Sequence, residues 1–300
     1  MAAGRYRLRV AGLALLLSLA LAGCARDRSA PRPPEPPRHP LRGEILGVAP
    51  DRGILVVHHE EIPGYMPAMT MELAAPGADF GAFRDGQKIA ATLVEAAAGD
   101  FRLEGIRILD PQQERDLAAA ALALRQDTHT RGKHAYREIG ETAPAFALAN
   151  QDGAVVRFDH FRGKRVVLNF IFTRCPVPTM CPAATGKMMA LQAAAKAAGI
   201  RDFELVSISF DTDYDTPPVL KKYAADRGID TSNFSFLTGP KDAIADLLRQ
   251  FGVYAIPGEN LYRHTLATIL IGADGKIVHR TDESSWTPDD FLRRLAPPSP

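Results

Sequence analysis

The chain has 300 residues, enough for two domains rather than one. Hydrophobic residues make up 46% and charged residues 24%, a globular balance that excludes a disordered chain. With a formal net charge of +1 and its 8 histidines scattered, it carries no basic footprint, so no nucleic-acid partner is expected.

Arg5, Arg7 and Arg9 precede an apolar run over 10–22. That run is too short for a mature bilayer-spanning helix, which needs roughly 20 residues, and it fits a secretory signal over 1–23. It ends in Leu21-Ala22-Gly23-Cys24, which resembles a bacterial lipobox. Cleavage before Cys24 and acylation of that residue are expected, and two or more acyl chains anchor a protein stably to a membrane. No Asp follows Cys24, so inner-membrane retention is not signalled. The expected location is the periplasmic side of the cell envelope. Residues 24–40 form a Pro-rich tether, extended in character.

Short β-rich runs over 43–48, 53–59, 69–73, 87–94 and 101–109 predict a small all-β OB-type barrel over 41–110. Pro111 opens a helix over 112–126, with Leu117, Ala121 and Leu124 at helical spacing, and 127–133 has loop composition. Together 111–137 form a helical linker. Over 138–300, strands at 154–158, 165–172, 203–210 and 234–237 alternate with helices at 182–198, 217–227 and 242–251. A hairpin over 265–280 and a last helix after Pro288 complete an α/β thioredoxin-like layout.

Met66, Met69 and Met71 lie within six positions, and Met69 and Met71 share one face of a strand. Thioether sulfur suits Cu(I), but Met also fills cores, and the residues alone leave both uses open. The string from His58-His59 to Pro67-Ala68-Met69-Thr70-Met71 resembles the CusF-type periplasmic copper-binding barrel. That resemblance implies Cu(I) on His59, Met69 and Met71. The family carries Trp where this chain has Met66, which is then either a fourth ligand or the mark of a more open site. His58 competes with His59, and strand alternation admits only one.

Cys175 and Cys181 follow a buried strand and open a helix, where a helix start favours thiolate. In an oxidising compartment such a pair is a disulfide, a metal site, or both in alternation. With His264 it makes a soft three-coordinate set that fits Cu(I) and leaves Cu(II) open. Phe172-Thr173-Arg174-Cys175-Pro176, the run Ser209-Phe210-Asp211 to Asp215-Thr216-Pro217, and the His264 loop resemble the SCO/SenC family of copper proteins in order and type. The resemblance implies copper on Cys175, Cys181 and His264, and service to the dinuclear copper site of cytochrome c oxidase as metal donor, thiol reductant or both. Two departures stand out: five residues separate the cysteines where the family has three, and Arg263 replaces an acidic residue before the histidine. Asp211 and Asp215 are expected to shape the turn before the helix at 217, with Asp215 or Thr216 as its cap. The combined expectation is a membrane-anchored copper metallochaperone with a copper-receiving partner such as an oxidase subunit. The alternative is a thiol:disulfide oxidoreductase acting on a copper protein's cysteines. A thiol peroxidase lacks its expected Pro before Thr173, and a passive copper buffer differs from a chaperone only in having no recipient.

Overall fold

The computed structural model describes residues 36–258, 262–282 and 285–296; the signal, Cys24 and most of the tether lie outside them. The first element, β1 (Arg38–Ala49), begins inside the Pro-rich stretch. Pro40 is tolerated there because β1 pairs with its next strand only from Gly43 onward, so one side of the strand is free at Pro40. β2 (Ile54–His59), β3 (Met69–Ala74), β4 (Lys88–Ala97) and β5 (Asp100–Ile108) follow, and the five close into a barrel in the order β1-β2-β3-β5-β4. Alternation sends Leu41 and Ile45 of β1, and Leu55 and Val57 of β2, into one core with Leu73, Ile89, Leu93 and Leu103. Closure leaves no strand edge open to pairing.

α1 (Pro111–Arg131) starts on an Asp110 cap, whose carboxylate accepts from the backbone N–H of Gln112 at 2.7 Å and of Gln113 at 3.1 Å. It runs through the segment expected to be loop after 126. The polar residues that suggested a loop are partnered in the helix instead. Asp127 accepts from Arg137 at 2.5 Å, and Gln250 Nε2 donates to both Asp127 and Thr128 at 2.9 Å. Leu124 enters the core of the following domain.

That domain comprises β6 (Ala147–Asn150), β7 (Val155–Arg157), β8 (Arg165–Ile171), α2 (Cys181–Ala197), β9 (Phe203–Ser209), α3 (Pro217–Asp226), β10 (Phe234–Thr238) and α4 (Lys241–Gln250). It ends with β11 (Ala255–Pro257), β12 (Tyr262–His264), β13 (Thr268–Ile271), β14 (Ile277–Thr281) and α5 (Pro288–Leu295). A seven-stranded sheet in the order β14-β13-β8-β9-β10-β6-β7 carries β8, β9 and β10 in parallel at its centre, in a thioredoxin-like fold. β8 is buried from Val166 to Ile171 and β9 throughout, as central parallel strands with helices on the sheet faces must be. β6 and the separate β11–β12 pair were not expected from the sequence, being only three or four residues each.

β5 of the barrel lies against the thioredoxin-like domain. Gly105 has φ +61°, and a Cβ there would sit 2.6 Å from Pro218 Cγ. Arg107 Nη1 donates to the Gly153 carbonyl at 3.3 Å, and Arg42 pairs with Glu114 of α1. Gly105→Ala therefore meets both a left-handed backbone and a side chain in contact. It is expected to lower the urea midpoint by more than about 1 kcal/mol equivalent; an unchanged midpoint would show that this contact is not made in solution.

Candidate metal centres

The parallel strand β8 ends at Ile171, and Phe172-Thr173-Arg174 delivers the chain to Cys175. The next five residues fold back on themselves, with Met180 N–H donating to the Val177 carbonyl at 3.0 Å, so that Cys181 returns as the first residue of α2. Pro176, Val177, Pro178 and Thr179 are exposed while both cysteines are buried. The longer spacing therefore bulges outward and does not separate the sulfurs. The Sγ atoms of Cys175 and Cys181 and a ring nitrogen of His264 all lie within 4.8 Å of one another. Both thiols are free.

His264 ends β12, opposite Ala255 of β11. Its Nδ1 lies 3.1 Å from the Thr265 carbonyl. A carbonyl only accepts, so Nδ1 carries the proton and Nε2 presents a lone pair, 3.6 Å from Cys181 Sγ. The ring is walled by Phe172 and Phe210, with centroids at 5.5 and 5.0 Å. Burial pushes the imidazole below its ordinary pKa, against a smaller opposing pull from the Thr265 carbonyl, so it stays neutral at neutral pH. Burial also pushes the Cys181 thiol up, reinforced by its neighbour Cys175. At this buried sulfur desolvation works against the thiolate that the helix start favours.

In the barrel, β2 and β3 pair with His59 opposite Met69, His58 opposite Thr70 and Val57 opposite Met71. His59 is wholly buried, whereas His58 is exposed and its Nδ1 lies 3.0 Å from Thr70 Oγ1. His59, Met69 and Met71 thus share one face, and His58 and Thr70 share the other. His59 Nδ1 sits 2.7 Å from the Glu60 carbonyl, which leaves Nε2 as the lone-pair nitrogen; it is buried with no partner. Such an orphaned nitrogen beside two thioethers fits a soft metal ion. Met69 is 41% exposed and so reachable from solvent, while Met66 and Met71 pack partly on the barrel core. Gly43 makes room for this arrangement: a Cβ would lie 2.6 Å from the His58 carbonyl oxygen and 2.9 Å from His59 Cα.

Residues 134–297 match the family model described as SCO1/SenC. The chain belongs to the SCO1/SenC family. Residues 38–108 match a second model, described as copper binding periplasmic protein CusF. The SCO1 protein homolog of Bacillus subtilis is 34% identical over 151 residues, covering 49% of this chain and 77% of that one. A SCO1/SenC family lipoprotein from Bacillus anthracis is 30% identical over 53% of this chain and 96% of its own, with a TM-score of 0.49. The ScoI of Bradyrhizobium japonicum, solved with copper bound, is 27% identical over 52% and 98%, with a TM-score of 0.44. Copper is the metal of this SCO1/SenC protein, and the Cys175, Cys181 and His264 donors suit it.

Two charged groups around the SCO-type centre differ from expectation. Arg263 is exposed, opposite Ile256, and strand alternation sends it to the face away from His264. The cation that adjoins the cysteines is Arg174, and buried Asp211 holds it at 2.6 Å while its guanidinium lies 4.6 Å from the Tyr214 ring centroid. Asp215 does not cap α3, and Thr216 makes no side-chain cap bond. Instead, the Asp215 carboxylate accepts from Thr173 N–H at 2.9 Å and from the hydroxyls of Thr173 and Ser209. It thereby laces the Cys175 approach to the end of β9. Sequence reading could have found this lacing only through the Thr173 position two residues before Cys175. Met188 is core, Met189 packs against it, and Met180 packs partly on the same core.

Burial raises the Asp215 carboxyl from its ordinary 3.8 to about 6, despite the three donors that lower it. Between those values the folded chain keeps a proton that the unfolded chain has released, so stability falls as pH rises through the window and is level above it. Asp215→Asn should remove that fall. Urea denaturation of both proteins from about pH 4 to about pH 6 measures it, and parallel curves would contradict the assignment.

Proposed function

We propose that this SCO1/SenC protein is a copper metallochaperone of the cell envelope. It takes Cu(I) at His59, Met69 and Met71, with Met66 alongside, and at Cys175, Cys181 and His264. It passes the ion between these sets and on to a receiving protein, a cytochrome c oxidase subunit or another copper protein of the same compartment. The observation that carries this reading is the convergence of two free sulfurs and a neutral, correctly presented imidazole within 4.8 Å. Ligand exchange between soft, low-coordinate donor sets requires no release of free metal. Anchoring through Cys24 rests on the Leu21-Ala22-Gly23-Cys24 string. No helix among the described residues is long and apolar enough to cross a membrane. A second reading, a thiol:disulfide oxidoreductase, draws on the same two neighbouring free thiols.

Anaerobic titration of Cu(I) against a competing chelator decides between them. Two tight equivalents are expected, one lost with Cys175→Ser and the other with Met69→Leu. A single equivalent, lost only with Met69→Leu, would leave the Cys pair to thiol exchange. The two sites should also differ in pH response. Cys181 is held protonated by burial, so copper must displace its proton, and apparent affinity there rises about tenfold per pH unit for each proton released. The thioether donors of the barrel carry no proton to displace. Equal pH slopes in the two single-site variants would contradict the assignment of ligands.

A further inference from the structure

The chain between β2 and β3 carries Met66. Ile62-Pro63-Gly64-Tyr65 is a tight turn, with Tyr65 N–H donating to the Ile62 carbonyl at 3.0 Å and Gly64 at φ +73°. Ile62 and Met66 then exchange backbone hydrogen bonds of 2.8 and 3.0 Å. A connection of this kind usually lies over its own two strands. This one is tied elsewhere. The Tyr65 ring stacks on His39 of β1, with centroids 3.6 Å apart and planes 12° apart. Its hydroxyl donates to Glu95 of β4 at 2.7 Å.

The barrel order makes those ties informative. β4 neighbours β1 and β5 only, never β2 or β3. His39 shares the inward parity of Leu41 and Ile45, and Glu95 that of Leu93, so both ties lie on the inner side of the barrel wall. A loop that leaves β2 at His59, enters β3 at Met69 and is fastened to β1 and β4 from within must cross the open end of the barrel. That end is the one bearing His59 and Met69. Tyr65, Met66 and Met71 accordingly pack on the barrel core. The His39 Nε2 atom is buried with no partner, so the stack, not a polar bond from that nitrogen, accounts for the ring's position.

We propose that Tyr65, His39 and Glu95 form a latch that holds the Met66 loop across the barrel's copper site and sets how fast copper leaves it. The proposal rests on the His/Met reading of that site. None of the three is a ligand: Tyr65 positions Met66, and His39 and Glu95 position Tyr65. Opening the latch exposes the metal to an incoming donor without removing His59, Met69 or Met71.

The test uses the full chain in detergent with Cys175→Ser and Cys181→Ser, loaded with one equivalent of Cu(I) and mixed by stopped flow with excess Cu(I) chelator. Tyr65→Phe keeps the ring and loses the bond to a carboxylate, and release about tenfold faster is expected. Tyr65→Ala should release faster still. His39→Ala should accelerate release, whereas His39→Phe, which preserves a stacking face, should restore the parent rate. All should still bind one equivalent. Parent-like rates in both Tyr65 variants, or equal acceleration by His39→Ala and His39→Phe, overturn the latch while leaving the copper site standing. Loss of the equivalent in Tyr65→Phe would make Tyr65 a ligand and also overturn it. If His59→Leu keeps the equivalent, the His/Met reading itself fails and the latch falls with it.

Discussion

Burial of the Cys181 sulfur sets the conditions for everything around the strand–helix junction. A thiol with no exposed surface resists losing its proton, because burial penalises the charged form. Such a site is silent until something that binds thiolate more strongly than a proton arrives. Copper is such an agent. The rest of the junction keeps the sulfurs where copper can displace that proton. Phe172 and Phe210 wall the imidazole, Asp211 occupies the nearest guanidinium, and Asp215 ties the Cys175 approach to β9. The Arg174 cation is engaged by a carboxylate that is itself only 1% exposed, which offsets its positive charge.

The barrel solves a different problem. Its thioethers are neutral at every pH, so burial costs them nothing in ionisation and the donors can sit at the mouth of a small closed sheet. What the barrel must control instead is access. Met69 is reachable from solvent, and the loop carrying Met66 packs on the barrel core beside it. The family's indole is absent here, and Trp286 lies in the other domain beside Phe291. Under the proposed latch, a loop fastened from inside the barrel wall would take the place of that single large side chain.

Much of this was legible in the sequence where one local rule governs. Strand alternation joined Met69 to Met71 and allowed only one of His58 and His59 to face them, and the CusF resemblance pointed to His59. The placement of Cys175 and Cys181 between a buried strand and a helix followed from hydrophobic pattern alone. What was not legible depended on distant partners. Asp127 and Thr128 have loop composition until Gln250 and Arg137, more than a hundred and about ten residues away respectively, are brought to them. His39 belonged by composition to a Pro-rich tether, and only pairing with β4 makes it part of the barrel. Thr216 holds the cap position of α3, and Asp215 beside it is engaged by Thr173 and Ser209 instead. The direction of Arg263 was hidden for the opposite reason: β12 is too short to be recognised by pattern, yet its alternation decides which way that cation faces.

One device recurs across the two unrelated folds. His59 bonds through Nδ1 to the carbonyl of Glu60, and His264 through Nδ1 to the carbonyl of Thr265, each the next residue in the chain. In both, the contact assigns the proton to Nδ1 and turns Nε2 outward from the backbone, so each ring presents Nε2 in a set orientation. A bond to the adjacent carbonyl needs no partner from elsewhere in the fold, and it survives whatever the rest of the site does. That independence suits the proposed role, in which copper is given up. The Nε2 atom is buried without a partner at His59 and faces a thiol 3.6 Å away at His264. A soft metal ion would satisfy either nitrogen, which accords with copper at His264 and with the copper site proposed at His59. The sulfurs then set the difference between them, through the proton that Cys181 must shed and the thioethers need not.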